Sequence, residues 1–259
     1  MTFPERLERF RVVDSTQRVV REWLDQGQAE VAVAVADHQT TGRGRQGREW
    51  LAPPGAGLLL SVGFRPDDLA AHHAWRLAAI VALAMRDAAE EAAGLKDGTI
   101  WLKWPNDLVA EGSRKNIVKV GGVLGETVSA GERVESAVVG IGINTDWKAA
   151  TFPWSLAAGM TSLRELSGGR PIDNGVLLDA FLARLEPRYE ALRGGVFDAA
   201  SWSGEQVTTG RHVVVTLGDE AIQGTASGVD PESGALLLEA DDGSQRAIDS
   251  GEVIRCRVA

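Results

Sequence analysis

The stretch Gln39-Thr-Thr-Gly-Arg-Gly-Arg-Gln-Gly-Arg-Glu-Trp50 places three arginines (Arg43, Arg45, Arg48) and three glycines (Gly42, Gly44, Gly47) in seven consecutive positions. It follows directly on the apolar run Val31-Ala-Val-Ala-Val-Ala36, which reads as a buried strand. Glycines let a backbone approach a ligand closely, and arginines offer forked, permanently charged donors that match carboxylate and phosphate oxygens. A strand that empties into such a loop predicts an anion site in an α/β fold. The competing reading is a flexible, solvated Arg/Gly segment, and the rest of the chain has to decide between them.

Around this loop the chain is acidic. Over 259 residues the formal charge is −9, with 44% hydrophobic and 24% charged residues. That length suits one large α/β domain with a small module attached. The charge argues against a general nucleic-acid partner, which needs a basic surplus. One cysteine, Cys256, excludes an internal disulfide, and four histidines in scattered positions predict no Cys/His metal cage. No signal peptide and no apolar run of about 18 residues is present, so a cytoplasmic protein with no membrane association is expected.

Upstream of the loop, Asp14-Ser-Thr-Gln17 precedes Val19-Val-Arg-Glu-Trp-Leu24, which predicts a helix starting near Ser15. Ser15 and Thr16 read as N-capping residues or as hydroxyls facing a small polar ligand. Downstream, Leu58–Phe64 predicts a strand and residues 74–93 a largely buried helix stopped at Gly94. Thr99–Val109 predicts a strand that runs into Pro105 and turns at Asn106-Asp107. A strand-end turn explains Pro105, but Lys103, Asn106 and Asp107 also bring a cation, an amide and a carboxylate together, a set suited to phosphate and a metal ion.

Lys119–Glu126 and Val134–Thr145 predict a glycine-rich antiparallel hairpin. Gly140-Ile-Gly-Ile-Asn144 lacks the third glycine and the following helix of a dinucleotide fingerprint, so its glycines read as sites of close approach to a flat ligand. Lys119 alone reads equally as a solvated lysine. Helices are expected over about 155–166 and 175–192. From Val207 onward short strands at close spacing predict a small β-barrel. This segment holds four Arg and no Lys against nine Asp/Glu, a formal charge of −5.

Gly42-Arg-Gly-Arg-Gln-Gly-Arg-Glu-Trp50, Lys103-Trp-Pro-Asn-Asp-Leu108, Lys119-Val-Gly-Gly122 and Gly140-Ile-Gly-Ile-Asn144, in that order and followed by a β-module, closely resemble the bacterial biotin protein ligases (biotin–[acetyl-CoA-carboxylase] ligases). The resemblance implies an α/β (α+β) catalytic domain over 1–205, with a mixed β-sheet and flanking helices of the class II synthetase/biotin ligase kind. It implies an SH3-like β-barrel over 206–259. The implied reaction joins biotin to ATP, giving biotinoyl-5′-AMP and pyrophosphate, and passes the biotinoyl group to one lysine of a biotin carboxyl carrier protein.

By the same resemblance Ser15, Thr16 and Gln39 contact the biotin ureido ring, with Gln17 beside them where the family often has Asn. The loop Gly42–Arg48 would fold over biotin and the adenylate. Gly42, Arg43, Gly44, Arg45, Lys119 and Gly122 complete the implied biotin set. Arg45, Arg48, Trp50, Lys103, Asn106 and Asn144 form the ATP set, with Asp107 toward Mg²⁺. Arg45, Lys119 and Arg43 are the expected catalytic groups. No Ser/His/Asp triad or cysteine nucleophile is required, because the mixed anhydride is already activated. Asp14–Gln17 begins too early to leave room for the DNA-binding domain of some relatives, so a ligase without repressor function is expected, as monomer or homodimer. A lipoate–protein ligase and a non-catalytic binding module are the rival readings.

Overall fold

A computed structural model describes residues 3–28, 30–112 and 116–257, so Val258, the last residue of the final predicted strand, lies outside the described residues. Strands β1 (Arg6–Phe10), β2 (Ala32–Ala36), β3 (Gly57–Phe64), β4 (Ile100–Lys103), β5 (Asp107–Glu111), β6 (Ile117–Ala130) and β7 (Arg133–Asn144) form one sheet. Its order is β1-β2-β3-β7-β6-β5-β4. β1 runs parallel to β2 and every other pairing is antiparallel, so the sheet is mixed.

The strand alternation sorts the side chains onto two faces. Val31, Val33 and Val35 join the large core beneath helices α2 (Trp75–Ala92) and α5 (Asn174–Arg193). Ala32 and Ala34 face the other way, with Val138, against α1 (Thr16–Asp25) through Val19, Val20, Trp23 and Leu24. Because both faces are covered, β2 and β3 are buried along their whole length. These apolar runs therefore show no polar alternation in sequence.

Two expectations need correction. The strand expected over 99–109 is a hairpin, β4 and β5, turning at residues 104–106. The helix expected over 155–166 is two short helices, α3 (Trp154–Ala157) and α4 (Leu163–Leu166). The chain between them is drawn into a parallel bridge with β6, in which Lys119 donates from its amide to Gly159 O (2.8 Å) and Thr161 N donates to Lys119 O (2.8 Å). Those bonds replace the helical ones that the local pattern favoured.

After α6 (Ala199–Gly204), strands β8 (His212–Leu217), β9 (Glu220–Val229), β10 (Leu236–Ala240), β11 (Gln245–Ile248) and β12 (Glu252–Arg257) build a second, antiparallel sheet of order β11-β10-β9-β8-β12. The join is a backbone splice: Leu102 N donates to Glu205 O (2.9 Å) and Val207 N to Leu102 O (2.8 Å). This anchors the C-terminal sheet beside β4, at the end of the hairpin that carries Lys103, Asn106 and Asp107. No helix among the described residues is long and apolar enough to cross a membrane.

Candidate active site

At the start of α1 the Ser15 side chain makes no capping bond. The free Thr16 amide is instead met by Gln39 Oε1 at 2.8 Å, which also accepts from Thr16 Oγ1 at 3.1 Å. Thr16 Oγ1 lies 2.8 Å from Ser61 Oγ in the middle of β3. The plain capping reading of these hydroxyls is therefore incomplete. Ser15, Thr16, Gln17 and Ser61 are all buried, and they line one small cavity with Gln39, Arg43, Trp50, Leu60, Gly122, Leu124, Gly140, Ile141 and Gly142. Apart from Arg43 its lining is uncharged.

Gln17 spans the floor of this cavity, donating from Nε2 to Leu124 O at 2.9 Å. Gly140 makes room for it, since a Cβ there would stand 3.0 Å from Gln17 Cγ. The Trp50 ring lies over Gly142, where a Cβ would come within 2.5 Å of the ring. The strand glycines of β7 are thus closely approached by two side chains of the protein itself, Gln17 at Gly140 and Trp50 at Gly142. The space left is about 30 Å³, room for a water molecule or two and for nothing larger.

On the other side of Trp50 opens a cavity of about 330 Å³. Arg43, Trp50, Gly122 and Leu124 line both cavities, and Arg45, Arg48, Lys103, Asn106, Asp107, Lys119 and Asn144 line the larger. Of the residues expected against biotin, Gly44, Arg45 and Lys119 sit on this side. Gly42 lines neither cavity; its carbonyl accepts from Trp50 N at 2.9 Å, and its missing Cβ lets Trp50 O pack where a side chain would be 2.5 Å away.

The Arg/Gly segment is a hydrogen-bonded hairpin rather than a loose loop: Gly44 N donates to Arg48 O at 2.7 Å around the turn Arg45–Gly47. Each cation on it and beside it has a partner. Lys119 Nζ is 2.6 Å from Asp107 Oδ1 and sits 5.5 Å from the Trp50 ring centre. Lys103 Nζ lies 4.0 Å from Asp107 Oδ2 and donates to Val253 O at 2.6 Å. Arg45 donates to Gly251 O at 3.1 Å and to Asn106 Oδ1 at 3.4 Å. Arg48 makes a forked pair with Glu252 at 2.8 and 2.9 Å, and Arg43 stands 3.5 Å from Glu126. Burial pushes the Arg45 pKa down from its ordinary value, opposed by Asp107 and Glu252; a guanidinium so placed stays charged but is poorly solvated, which strengthens its pull on an incoming anion.

Asn144 is buried and donates to Thr161 O at 2.9 Å, which ties β7 to the segment between α3 and α4. Sequence reasoning missed Ser61, Leu124, Glu126 and the stretch Gly251–Val253. Ser61 carried a signal, a lone hydroxyl inside an apolar strand. Gly251–Val253 carried none, since only the packing of the second sheet brings it over Arg45, Arg48 and Lys103.

Comparison with known proteins identifies the family. Residues 9–144 match the biotin/lipoate A/B protein ligase family, and 208–255 match the biotin protein ligase C-terminal domain. The chain is 32% identical over 237 residues to the bifunctional ligase/repressor BirA of Bacillus subtilis, covering 91% of this chain and 70% of that protein. It is 32% identical over 228 residues to the biotin–[acetyl-CoA-carboxylase] ligase of Mycobacterium tuberculosis, covering 87% of this chain and 79% of the other. The biotin protein ligase from Aquifex aeolicus, solved in complex with biotin and ATP, superposes with a TM-score of 0.77 at 29% identity, over 98% of this chain and all of that one. With both family segments in order around the two cavities, the chain belongs to the biotin/lipoate A/B protein ligase family, in its biotin protein ligase branch.

Proposed function

We propose that this protein activates biotin with ATP and transfers the biotinoyl group to a lysine of a carrier protein, the biotin carboxyl carrier of an acyl-CoA carboxylase. The observation that carries this reading is the junction at Trp50: a hydrogen-bonding cavity uncharged apart from Arg43 on one side, and a cavity walled by Arg43, Arg45, Arg48, Lys103 and Lys119 on the other. A ligand with a neutral polar head and a carboxylate tail fits that polarity lengthwise. The head would lie at Ser15, Thr16, Gln17 and Gln39 once the Trp50 ring withdraws to enlarge the 30 Å³ space there, and the tail would emerge beside the triphosphate.

A ureido ring offers one carbonyl acceptor and two N–H donors, which the hydroxyls and amides of the small cavity complement. A dithiolane ring offers neither, so it would gain no hydrogen bond from those groups, which supports biotin over lipoate.

Adenylation brings a carboxylate against the α-phosphate, and their repulsion is the first barrier. Lys119 and Arg45, with Arg43, are the cations placed to offset it; each such donor typically contributes ~2.7–4 kcal/mol in a water-excluded site. Asp107 holds Lys119 in position until the substrates arrive. Mg²⁺ would come with the triphosphate, and Asp107 is the carboxylate proposed for it among the three that line the larger cavity, Glu252 being paired with Arg48, which suits an ion that takes its other ligands from phosphate and water. In the second half-reaction the carrier lysine attacks the carbonyl of the mixed anhydride and AMP leaves, its charge met by the same cations. Closure of the 42–50 hairpin would shield the anhydride from water.

The catalytic domain is assigned to 1–205 and the SH3-like module to 206–259, with the module contributing Gly251–Val253 to the nucleotide side. The net charge of −9 supports a protein partner rather than nucleic acid. The test is ATP–pyrophosphate exchange by the purified chain, followed by transfer to a carrier domain. Exchange that depends on biotin, then a biotinylated lysine, is expected. Exchange with lipoate alone would replace the substrate, and no exchange with either would leave a binding module.

A further inference from the structure

His72 and His73 end the short turn Ala71–His73 ahead of α2, and Glu232 lies far away in sequence, in the turn between β9 and β10. The fold brings them together. Glu232 Oε1 is 2.5 Å from His73 Nε2 and 3.9 Å from His72 Nε2, and the two imidazole centres are 4.0 Å apart. Among the described residues this is the one group of three His, Cys, Asp or Glu whose ligand atoms all fall within 4.8 Å of one another.

The second carboxylate oxygen is already committed. Arg76 Nη2 holds Glu232 Oε2 at 2.9 Å, and the guanidinium of Arg76 is packed 5.2 Å from the Phe197 ring and 5.8 Å from that of Trp75. Oε1 is thereby aimed at the two imidazoles. We propose that His72, His73 and Glu232 form a binding site for an imidazole-preferring divalent ion such as Zn²⁺, which clips the C-terminal module to the catalytic domain.

Two metal bonds of ~2.0–2.1 Å at a tetrahedral angle set their donor atoms roughly 3.3 Å apart. The observed 2.5 and 3.9 Å lie on either side of that value, so small side-chain shifts seat the ion. His72 and Glu232 are exposed, which leaves room for those shifts and for water as a fourth ligand. Two neutral imidazoles with one carboxylate favour zinc-like ions over Mg²⁺, which prefers an all-oxygen shell.

The position gives such an ion mechanical leverage. The same turn is the foot on which the C-terminal sheet stands: Trp75 Nε1 donates to Glu232 O at 3.3 Å and Trp104 Nε1 to Gly234 O at 3.0 Å. Gly234 is pressed so close to Trp75 that a Cβ would come within 2.7 Å of the ring. The far side of that sheet supplies Gly251 O and Val253 O to Arg45 and Lys103.

The test is titration of the chelator-stripped full chain with ZnCl₂ in excess MgCl₂, in a Cys256→Ser background so that the thiol does not compete. One Zn²⁺ per chain with micromolar affinity is expected, together with slower amide exchange over 230–234 when zinc is bound. Combined His72→Ala and His73→Ala substitution should weaken binding by at least ~10–100-fold, the loss seen even for outer partners of metal ligands. Binding only at millimolar zinc, binding unchanged in the double variant, or zinc binding with no change in exchange at 230–234 would each overturn the proposal and leave Glu232 as an ion-pair partner of Arg76 and His73.

Discussion

The two cavities that meet at Trp50 are built by opposite means. The small one is made of regular elements, with Thr16 on the first turn of α1, Ser61 in mid-β3 and the glycines of β7, and its polar groups bond to one another. The larger one joins the Arg/Gly hairpin to strands of both sheets, and its cations are held across that join: Lys119 on β6 by Asp107 on β5, Lys103 on β4 by Val253 O on β12, and Arg45 by Gly251 O. A neutral ligand is read by fixed geometry, which strands and a helix end supply. An anion is held by charge, which tolerates mobile side chains and so can be assembled from a hairpin and the strands of two separate sheets.

That contrast makes unequal demands on single substitutions. The largest effect is expected for Lys119→Ala, which should lower the rate of biotin-dependent pyrophosphate exchange at saturation by ~10²–10³-fold while changing biotin affinity much less. A loss confined to biotin affinity would move Lys119 into the neutral half and break the division. Ser61→Val leaves the Thr16 hydroxyl and the ligand one partner short in a buried site. A ~10–100-fold rise in the biotin dissociation constant is expected, from a penalty of about 1–3 kcal/mol, with little change in the saturated rate. Isothermal titration with and without ATP separates the two.

Gly142→Ala probes the wall between the cavities. Its methyl group would overlap the Trp50 ring, so the ring should be expelled, at a cost of about 1–3 kcal/mol in stability. Red-shifted tryptophan emission and faster proteolysis within 41–50 would report it; an unchanged spectrum would mean that strand β7 yields instead. The smallest effect is expected for Glu252→Gln. The Arg48 pair is forked but largely exposed, and exposed pairs contribute about 0.2–1 kcal/mol, so the KM for ATP should change by no more than ~5-fold. A change of a hundredfold would show that the C-terminal sheet governs the nucleotide side far more than one ion pair can explain.

Much of this molecule is local in origin, and that part the chain determines by itself. The buried runs 31–36 and 58–64, the glycine bend at 131, the closely spaced strands after residue 207 and the cationic motifs at 42–50, 103–108 and 119–122 follow from periodicity, turn chemistry and charge within a few residues of each other. Tertiary structure decided what no local pattern encodes. It broke the helix expected over 155–166, because β6 offered the 159–161 backbone a better set of hydrogen bonds. It placed Gln39 on the amide of Thr16 and set the Ser61 hydroxyl against that of Thr16. It joined His72 and His73 to Glu232 and laid residues 251–253 over the larger cavity. Hydrogen bonds and ion pairs act over a few ångströms irrespective of chain separation, so partners more than a hundred residues apart become neighbours only after both sheets have packed.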